Sequence, residues 1–236
     1  MTADTAPTTT VASDQLHRIL AATLAVWQAG SDPRTDATIR LESDADGRLL
    51  ALVNDDPDLY FSASDTCTAA AATAACEGGA LAIHLEIAIV RMLLAVLADQ
   101  MDTCCPDSPV TLQDSRTSIY ASPVLEVDIE DGPRMSVVLS HPPLHGELWR
   151  GRIAAAANAA PATGQAYLNA PQTEVIAALS RHGNRADTTL RACDADDRRI
   201  CLLVDADDLC AVITVVSDPR PEHTLAASLA CERATA

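Results

Sequence analysis

Lysine is absent from this chain, and the 16 basic residues among its 236 are all arginine. Acidic residues number 33, which gives a formal net charge of −17. A chain this acidic is not steered as a whole towards phosphate backbones, so contact with nucleic acid would require a local stripe of arginine. Two explanations of the missing lysine stay open: a GC-rich coding sequence, and an acidic surface adapted to high salt.

Aromatic residues are also scarce. Only six occur, namely Trp27, Tyr60, Phe61, Tyr120, Trp149 and Tyr167. Proteins that bind single-stranded nucleic acid stack its bases on clustered aromatic rings. The scarcity therefore argues against a base-stacking platform.

The usual signatures of an enzyme are missing as well. No serine lies in a nucleophile elbow, and no glycine-rich loop could cradle a phosphate. Glu126 and Asp128 alternate along a predicted strand and could act as paired carboxylates, but a solvated strand face is the simpler interpretation. We predict a protein without catalytic activity and without a cofactor.

Cysteine and histidine do not form a metal-binding pattern. None of the eight cysteines forms Cys-x-x-Cys, and the adjacent pair Cys104 and Cys105 suits neither zinc nor a mutual disulfide. His141 and His145, with Glu147 nearby, are separated by prolines that disfavour the helix needed to bring both rings onto one face. We predict no metal site.

The chain is predicted to be cytoplasmic, with reduced thiols. Its first residues, MTADTAPTTT, lack the charged leader and apolar core of a secretory signal. Residues 81–98 are long enough to cross a bilayer, but His84, Glu86 and Arg91 lie inside that segment. A buried helix is the better interpretation, and no membrane contact is predicted.

What the chain does contain is an internal repeat. Residues 38–59 read TIRLESDADGRLLALVNDDPDL, and residues 189–209 read TLRACDADDRRICLLVDADDL. A single gap brings ten positions into identity: Thr38, Arg40, Asp44, Ala45, Asp46, Arg48, Leu52, Asp55, Asp58 and Leu59 match Thr189, Arg191, Asp194, Ala195, Asp196, Arg198, Leu202, Asp205, Asp208 and Leu209. Such repetition indicates that one supersecondary unit is used more than once. Chance identity between segments rich in Ala and Asp is the alternative.

The acidic segments within this repeat match calcium-binding loops only in part. A full loop needs further oxygen ligands and a closing glutamate at its twelfth position, which from Asp44 is occupied by Asp55. Aspartate and glycine also suit the backbone angles of a hairpin turn. Turns therefore explain these segments better than calcium does.

The hydrophobic pattern predicts three α+β units. The first has a short strand at 9–12, a helix at 15–29 with Ser13-Asp14 as its N-cap, and strands at 37–42, 48–53 and 58–64. A connector of small residues at 68–79 leads to the second unit. That unit starts with a strand or helix turn at 80–83, its helix runs to about residue 101, and its strands lie at 109–112, 117–121, 125–129 and 135–139. The third has a strand at 166–169, a helix at 171–181, and strands at 188–193, 199–204 and 210–216.

These units predict the domain boundaries. The segments are a disordered tail at 1–10, a domain of two units at 11–140, a linker at 141–164, a third unit at 165–216 and a C-terminal tail at 217–236. A fourth unit would have to lie unrecognised within residues 140–165.

A repeated strand–helix–three-strand unit resembles the DNA sliding clamps, the processivity rings of replication. The closest likeness is the opening half-domain of bacterial β-type clamps, on the helix pattern DQLHRILAATL and the hairpin IRLESDADGRLLALVNDDPDL. The resemblance implies an α+β fold of tandem β-α-β-β-β units with antiparallel sheets. It further implies paired units that form domains, domains that close a ring, helices that line a DNA hole, and sheets that form the outer wall.

On that resemblance, the arginines of the helices are the candidate DNA contacts. The first helix carries Arg18, the second Arg91 and the third Arg181, with Arg185 just beyond it. Each would add salt-sensitive affinity that does not depend on base sequence. Ordinary surface arginine is the alternative.

Two functions remain open from the sequence. The first is a non-enzymatic, clamp-like replication or repair factor that works as a homo-oligomer with double-stranded DNA and protein partners, since one and a half clamp domains cannot close a ring alone. The second is an acidic protein-interaction module, such as an inhibitor, an immunity protein or a chaperone, on the same scaffold. The first predicts a multimer with inward-facing helices, and the second predicts a tight protein partner and no affinity for DNA.

Overall fold

The structure is a computed structural model in which strands and helices alternate in an α+β pattern. It describes residues 8–30, 38–43, 47–54, 68–78, 81–103, 105–115, 122–139, 158–160, 168, 170–182, 189–196, 199–206 and 209–216. The strands are β1 (Thr8–Ala12), β2 (Thr38–Ser43), β3 (Arg48–Asn54), β4 (Thr68–Ala75), β5 (Glu77–Gly78), β6 (Ala82–Glu86), β7 (Pro109–Asp114), β8 (Val124–Ile129), β9 (Arg134–Val138), β10 (Thr189–Asp196), β11 (Arg199–Ala206) and β12 (Leu209–Val216). The helices within these residues are α1 (Ser13–Gly30), α2 (Ile87–Thr103) and α3 (Ala170–His182).

The elements fall into two compact units. The first comprises residues 1–24, 36–52 and 72–146, and the second comprises residues 25–35, 53–71 and 147–236. Helix α2 and strands β5 to β9 belong to the first unit, as do β1 and β2. Helix α3 and strands β10 to β12 belong to the second.

Residues 8–138 contain two copies of the predicted β-α-β-β-β building block, and the copies exchange their first strands. The first unit holds both copies except residues 25–30 of α1, 53–54 of β3 and 68–71 of β4, which fall in the second unit. One copy is β1-α1-β2-β3-β4 and the other is β6-α2-β7-β8-β9. Strand β1 pairs with β7 of the other copy, where Thr10 lies opposite Thr111. Strand β6 pairs in return with β2, where His84 lies opposite Arg40. The predicted fold class, tandem β-α-β-β-β units with antiparallel sheets, is therefore confirmed.

This exchange gives two strand orders in the first unit. They are β5-β1-β7-β8-β9 and β6-β2-β3-β4. The ladders whose registers are described in this unit are all antiparallel. In the second unit β10, β11 and β12 form an antiparallel meander, against which α3 packs.

Buried side chains on one face of the paired strands β2 and β6 form part of the core of the first unit. Ile39 and Leu41 on β2, and Leu85 on β6, have no exposed surface. Helix α2 packs against the same two strands. Its buried face is formed by Val90, Leu93, Leu97 and Gln100. Apolar burial of this kind contributes roughly 1.5–3 kcal/mol for each large side chain.

The opposite face of the β2–β6 ladder carries a hydrogen-bonded polar network. Arg40 Nε lies 2.6 Å from Glu42 Oε2, and Arg40 Nη1 lies 3.3 Å from His84 Nε2. Because a guanidinium can only donate, Nε2 of His84 accepts, and Nδ1 then carries the proton that faces Thr38 Oγ1 at 3.4 Å. Glu42 and His84 are both only 7% exposed, so these bonds satisfy Glu42 Oε2 and the ring nitrogens of His84, which burial would otherwise penalise.

Helix α1 starts close to its predicted position, but Ser13 does not act as its N-cap. The Ser13 hydroxyl donates to the Pro106 carbonyl at 2.6 Å. The N–H groups of Ser13 and Asp14 donate to the carbonyls of Ser108 and Pro106, each at 3.0 Å. The loop before β7 therefore supplies the acceptors that a helix N-terminus requires. Sequence could not indicate this, because the acceptors come from the other copy.

The predicted connector at 68–79 is wrong, because most of it is strand. Residues 68–75 form β4, and Glu77 and Gly78 form β5. Alanine is depleted in strands, and an alanine-rich run has no apolar–polar alternation. The sequence therefore predicted a linker here. Its alternation appears only in burial, since Ala72 and Ala74 are buried while Thr73 is half-buried.

The repeated segments both form antiparallel hairpins, although their registers differ. In the first hairpin Arg40 lies opposite Leu52. In the second, Arg191 lies opposite Leu203, and Leu202 lies opposite Ala192. The matched leucines Leu52 and Leu202 are therefore displaced by one position relative to the matched arginines. The second hairpin also contains a register shift between Asp194 and Asp196, which the first does not show in its described pairs.

Several boundaries move by a few residues or fall outside the described residues. Strand β1 begins at Thr8, so residues 8–10 belong to a sheet rather than to the predicted disordered tail. The segment 81–98 divides into strand β6 and most of helix α2, and no helix among the described residues is long and apolar enough to span a membrane. The predicted strands at 58–64 and 117–121, the tail at 217–236 and nearly all of 141–169 lie outside the described residues. The predicted linker and third-unit boundaries stay predictions.

A substitution at Gly78 tests how closely β5 approaches β1. Its φ is +118°, and a Cβ there would overlap the carbonyl oxygen of Thr8 on the paired strand. We expect Gly78→Ala to lower the free energy of unfolding by about 1–3 kcal/mol in denaturant titrations, because backbone must move on both strands. Gly132→Ala is the matched control, since its Cβ would meet side-chain atoms only, Gln100 Oε1 at 2.7 Å and Ile129 Cγ2 at 3.0 Å, which can shift more easily than backbone. Equal losses for the two variants would contradict the described β1–β5 approach.

Candidate nucleic-acid interface

The four candidate arginines lie in different environments. Arg18 is half-buried on α1, whereas Arg91 on α2 and Arg181 on α3 are exposed. Arg185 lies outside the described residues. Arg18 is turned towards β4 and Arg91 towards solvent, so the two arginines of the first unit do not share one exposed surface.

Arg18 connects helix α1 to the sheet of its own copy. Its Nη2 donates to Gln15 Oε1 at 2.9 Å and approaches the Thr73 carbonyl of β4 at 3.5 Å. A guanidinium with these protein partners is only partly available to a phosphate. The geometry therefore gives Arg18 a role in positioning α1, beside its candidacy as a DNA contact.

Helix α2 presents a single exposed stripe with little positive charge. The exposed residues recur every three or four positions and are Ala88, Arg91, Met92, Ala95, Asp99, Asp102 and Thr103. Arg91 is the one base on this stripe, and two aspartates follow it. Met92 is 39% exposed, so part of the stripe is apolar.

Helix α3 shows the same balance. It buries Gln172, Val175, Ala178 and Leu179, while Ala170, Thr173, Glu174 and Arg181 are exposed. Arg181 and His182 occupy the last turn, where a positive charge stabilises the helix by interacting with the negative end of its dipole. Arg181 therefore has a local electrostatic role that is independent of any ligand.

The exposed helical surfaces are slightly acidic. Across the described helices the exposed charged residues are Arg91 and Arg181 against Asp99, Asp102 and Glu174. The sequence pattern of α2 already places Asp99 on one polar stripe with Arg91, whereas Asp102 and Glu174 were not anticipated. Counting along the helical face would also have found Asp102, because Asp99 and Asp102 follow Arg91 by eight and eleven residues, in successive steps of four, four and three. Phosphate attraction by these helices would be weak.

The outer edge of β9, the last described strand of its sheet, is a second feature that the sequence did not reveal. Strand β9 stands last in its sheet, with β8 as its described neighbour. The Leu139 N–H donates to the Pro123 carbonyl of the β8 side at 2.8 Å. Alternation then turns the N–H groups of Ser136 and Val138 away from β8. Val138 is 68% exposed, so within the described part of the chain this edge presents outward-facing donors and apolar surface.

Metal-binding geometry is not found in the described part of the chain. No group of three or more His, Cys, Asp or Glu side chains there could hold a metal ion. His141, His145 and Asp44 to Asp46 fall outside the described residues.

Solved structures of bacterial replication clamps are similar to this chain. The β subunit of DNA polymerase III from Thermotoga maritima superposes with a TM-score of 0.52 at 15% sequence identity. The β sliding clamp of Caulobacter crescentus gives a TM-score of 0.54 at 11% identity, and the β chain of DNA polymerase III from Streptococcus pneumoniae gives 0.53 at 9%. In all three, 92% of this chain is matched, and the chain spans 66% of the other protein's length.

The comparison defines the fold class. No family model and no curated protein sequence matches the chain. The structural match extends over nearly the whole chain, and the exchanged β-α-β-β-β copies of the first unit agree with it. The chain has the sliding-clamp fold.

Arg18→Met tests the positioning role of this arginine. The variant keeps most of the aliphatic stem and removes the hydrogen bonds to Gln15 and Thr73. We expect the free energy of unfolding to fall by about 0.5–2 kcal/mol, as measured by denaturant titration. Arg91→Met, on the exposed stripe of α2, is the control and should leave stability unchanged. A stable Arg18→Met protein would show that the α1–β4 connection is dispensable.

His17, the neighbour of Arg18 on α1, predicts a dependence of stability on pH. Partial burial lowers the pKa of His17 below its usual 6.5 by desolvation of the charged form. The unfolded chain then binds a proton more readily than the folded one, so stability is lost as pH falls below about 6.5. We expect thermal unfolding of His17→Gln to show a smaller loss of stability than the wild type between pH 7 and pH 5. If stability fell equally with pH in the two proteins, His17 would not be the cause of the pH dependence.

Proposed function

We propose that this chain is a non-enzymatic, clamp-type accessory factor that assembles with copies of itself and holds double-stranded DNA within the assembly. The observation that carries the proposal is the first unit, with its two copies and exchanged first strands. The chain superposes on proteins described as the β subunit of DNA polymerase III and as a β sliding clamp. Because the chain spans 66% of their length, an assembly must be built from more than this one chain if it is to enclose DNA.

The edge of β9 supports self-assembly. An exposed strand edge with outward N–H groups, no proline inside the strand and an exposed valine is a template for another strand. Arg134 is the one charged side chain on β9, and it reaches back to Glu126 at 3.4 Å and Asp128 at 4.0 Å. Its charge is therefore partly neutralised by its own sheet. It opposes pairing of another strand with β9 less than a free charge would.

The mode of DNA contact follows from the charges on the helices. On the described helices, two exposed arginines against three exposed acids cannot supply tight phosphate binding. An assembly that surrounds the duplex does not need such attraction, because the DNA is retained by enclosure. The candidate contacts Arg91, Arg181 and Arg185 would then tune sliding rather than anchor the protein.

The same charges favour one alternative. A protein-interaction module on this scaffold would benefit from acidic exposed helices, which repel nucleic acid and attract a basic partner. The two functions differ in a simple property: the module has no affinity for DNA at any salt concentration.

Ser136→Pro tests both assembly and DNA retention. The substitution removes an N–H group that faces the open edge of β9 and leaves the β8 ladder intact, because Ser136 does not donate to β8. We expect sedimentation equilibrium to give a multimer for the wild type and a smaller species for Ser136→Pro. Fluorescence anisotropy with a labelled DNA duplex at about 50 mM salt should show weaker binding by the variant, because fewer copies act together.

Ser136→Ala is the control for this experiment. It removes the same hydroxyl and keeps the N–H group, so mass and DNA affinity should match the wild type. Circular dichroism should be the same for all three proteins. A wild-type monomer would overturn the assembly, whereas an intact multimer without DNA affinity at about 50 mM salt would favour the interaction module.

A further inference from the structure

Two cysteines of the second unit lie directly opposite each other in the hairpin of β10 and β11. Cys193 on β10 is paired with Cys201 on β11 in the antiparallel register. Residues paired in this way share one face of a sheet, with Cβ atoms about 4.5–5.5 Å apart. Seven residues separate the two positions in the sequence, and neither belongs to a Cys-x-x-Cys motif. The fold therefore brings together two thiol-bearing residues that no motif had linked.

The cysteine pair belongs to the face of the meander that is not buried core. The core residues of β12 are Leu209, Ala211 and Ile213. Cys201 lies opposite Thr214, which alternates with these residues along β12 and so belongs to the other face. On that other face Thr189 is exposed and Cys210 is half-buried. At these described positions, this side of the meander is open to small molecules.

The two cysteines occupy a hydrogen-bonded position of the β10–β11 ladder. Asp196 and Arg199 flank a two-residue connection and so form a hydrogen-bonded pair. Alternation along β11 gives Cys201 the same character, so its backbone bonds to that of Cys193. The Cα atoms of such a pair are about 5.5 Å apart, inside the range of about 4.4–6.8 Å that disulfides span. The Cβ atoms must approach each other by about 1 Å to form a disulfide.

We propose that Cys193 and Cys201 are a reversible redox site, which closes to a cross-strand disulfide when a small-molecule disulfide oxidises the protein. One cysteine thiolate attacks the small disulfide, which forms a mixed disulfide and releases one small thiol. The other thiolate then attacks the cysteine sulfur of the mixed disulfide and releases the second small thiol. Two protein thiols are oxidised and one small disulfide is reduced, and the two protons of the protein thiols pass to the two released thiols.

The geometry makes this link labile rather than permanent. Drawing the Cβ atoms of a hydrogen-bonded pair together introduces strain, and strained disulfides are reduced more readily. The register shift between Asp194 and Asp196 absorbs part of that strain, because a bulge bends its strand and increases the local twist. Once closed, the link holds β10 and β11 in register until a thiol reduces it. The second unit would therefore respond to the thiol–disulfide balance of its surroundings, independently of assembly and of DNA.

Cys210 provides an internal comparison for this pairing. It lies opposite Asp205, four residues from Cys201, which corresponds to about 13 Å along the strand. That separation exceeds the span of a disulfide, so the native fold excludes a link between Cys201 and Cys210. In the sequence, however, Cys201 is almost equally far from Cys193 and from Cys210, with seven and eight intervening residues. An unfolded chain would therefore form the two links in comparable amounts.

Peptide mapping of the full chain gives the first test. The protein is incubated with oxidised glutathione, its remaining thiols are alkylated, and it is digested with trypsin. Cleavage after Arg198 and Arg199 separates Cys193 from Cys201, so their peptides stay joined only through a disulfide. In the native protein we expect the link to Cys193 to exceed the link to Cys210 by about tenfold or more, and to disappear with excess thiol. In concentrated guanidinium chloride the two links should be comparable.

Moving one cysteine by a single residue gives the second test. The double variant Ala192→Cys, Cys193→Ala keeps the number of cysteines but places one of them on the opposite face of β10. We expect its link to Cys201 to fall by about tenfold or more, with an unchanged circular dichroism spectrum. Cys210→Ser is the control and should form the Cys193–Cys201 link as the wild type does. An equal yield in the shifted variant, or a native wild-type protein without this link, would overturn the proposal.

Discussion

The hydrogen-bonded ladder between β1 and β7 is the interaction on which the first unit depends. A strand edge inside a folded protein must find partners for its N–H and C=O groups, and here each copy satisfies that need with the first strand of the other. The exchange also fixes the helices. Helix α1 follows β1 directly, and its first N–H groups bond to the loop before β7. Neither copy is complete without the other, which makes the pair the true structural unit.

The sequence predicted much of this architecture because helices and alternating strands leave local patterns. The stripe of Leu16, Ile19 and Leu20 predicted α1, and the hairpin at Asp44-Ala-Asp-Gly47 predicted β2 and β3 on either side of it. Strand β4 was missed because its alanines carry no contrast between its two faces. The pairing of β1 with β7 could not be predicted, since it depends on contacts between distant segments and leaves no local periodicity.

The candidate interface was less predictable than the fold, and for a physical reason. Residue type identifies an arginine but not the direction in which it points. Arg18 is drawn to Gln15 and the Thr73 carbonyl, whereas Arg91 stands on an exposed stripe beside aspartates. The net charge at each helix depends on that placement. The edge of β9 was likewise hidden, because a strand's position at the end of a sheet is a property of topology rather than of its own residues.

Strand exchange also constrains how the chain is made. Thr8 is translated 105 residues before Gln113, its partner in the ladder. At ordinary translation rates of roughly 5–20 residues per second, β1 waits on the order of ten seconds before β7 exists. During that interval a short threonine-rich strand is exposed to other nascent chains of the same kind. On one messenger RNA, β1 of one nascent polypeptide could therefore pair with β7 of its neighbour. Slow closure of the sheet would in this way produce domain-swapped dimers.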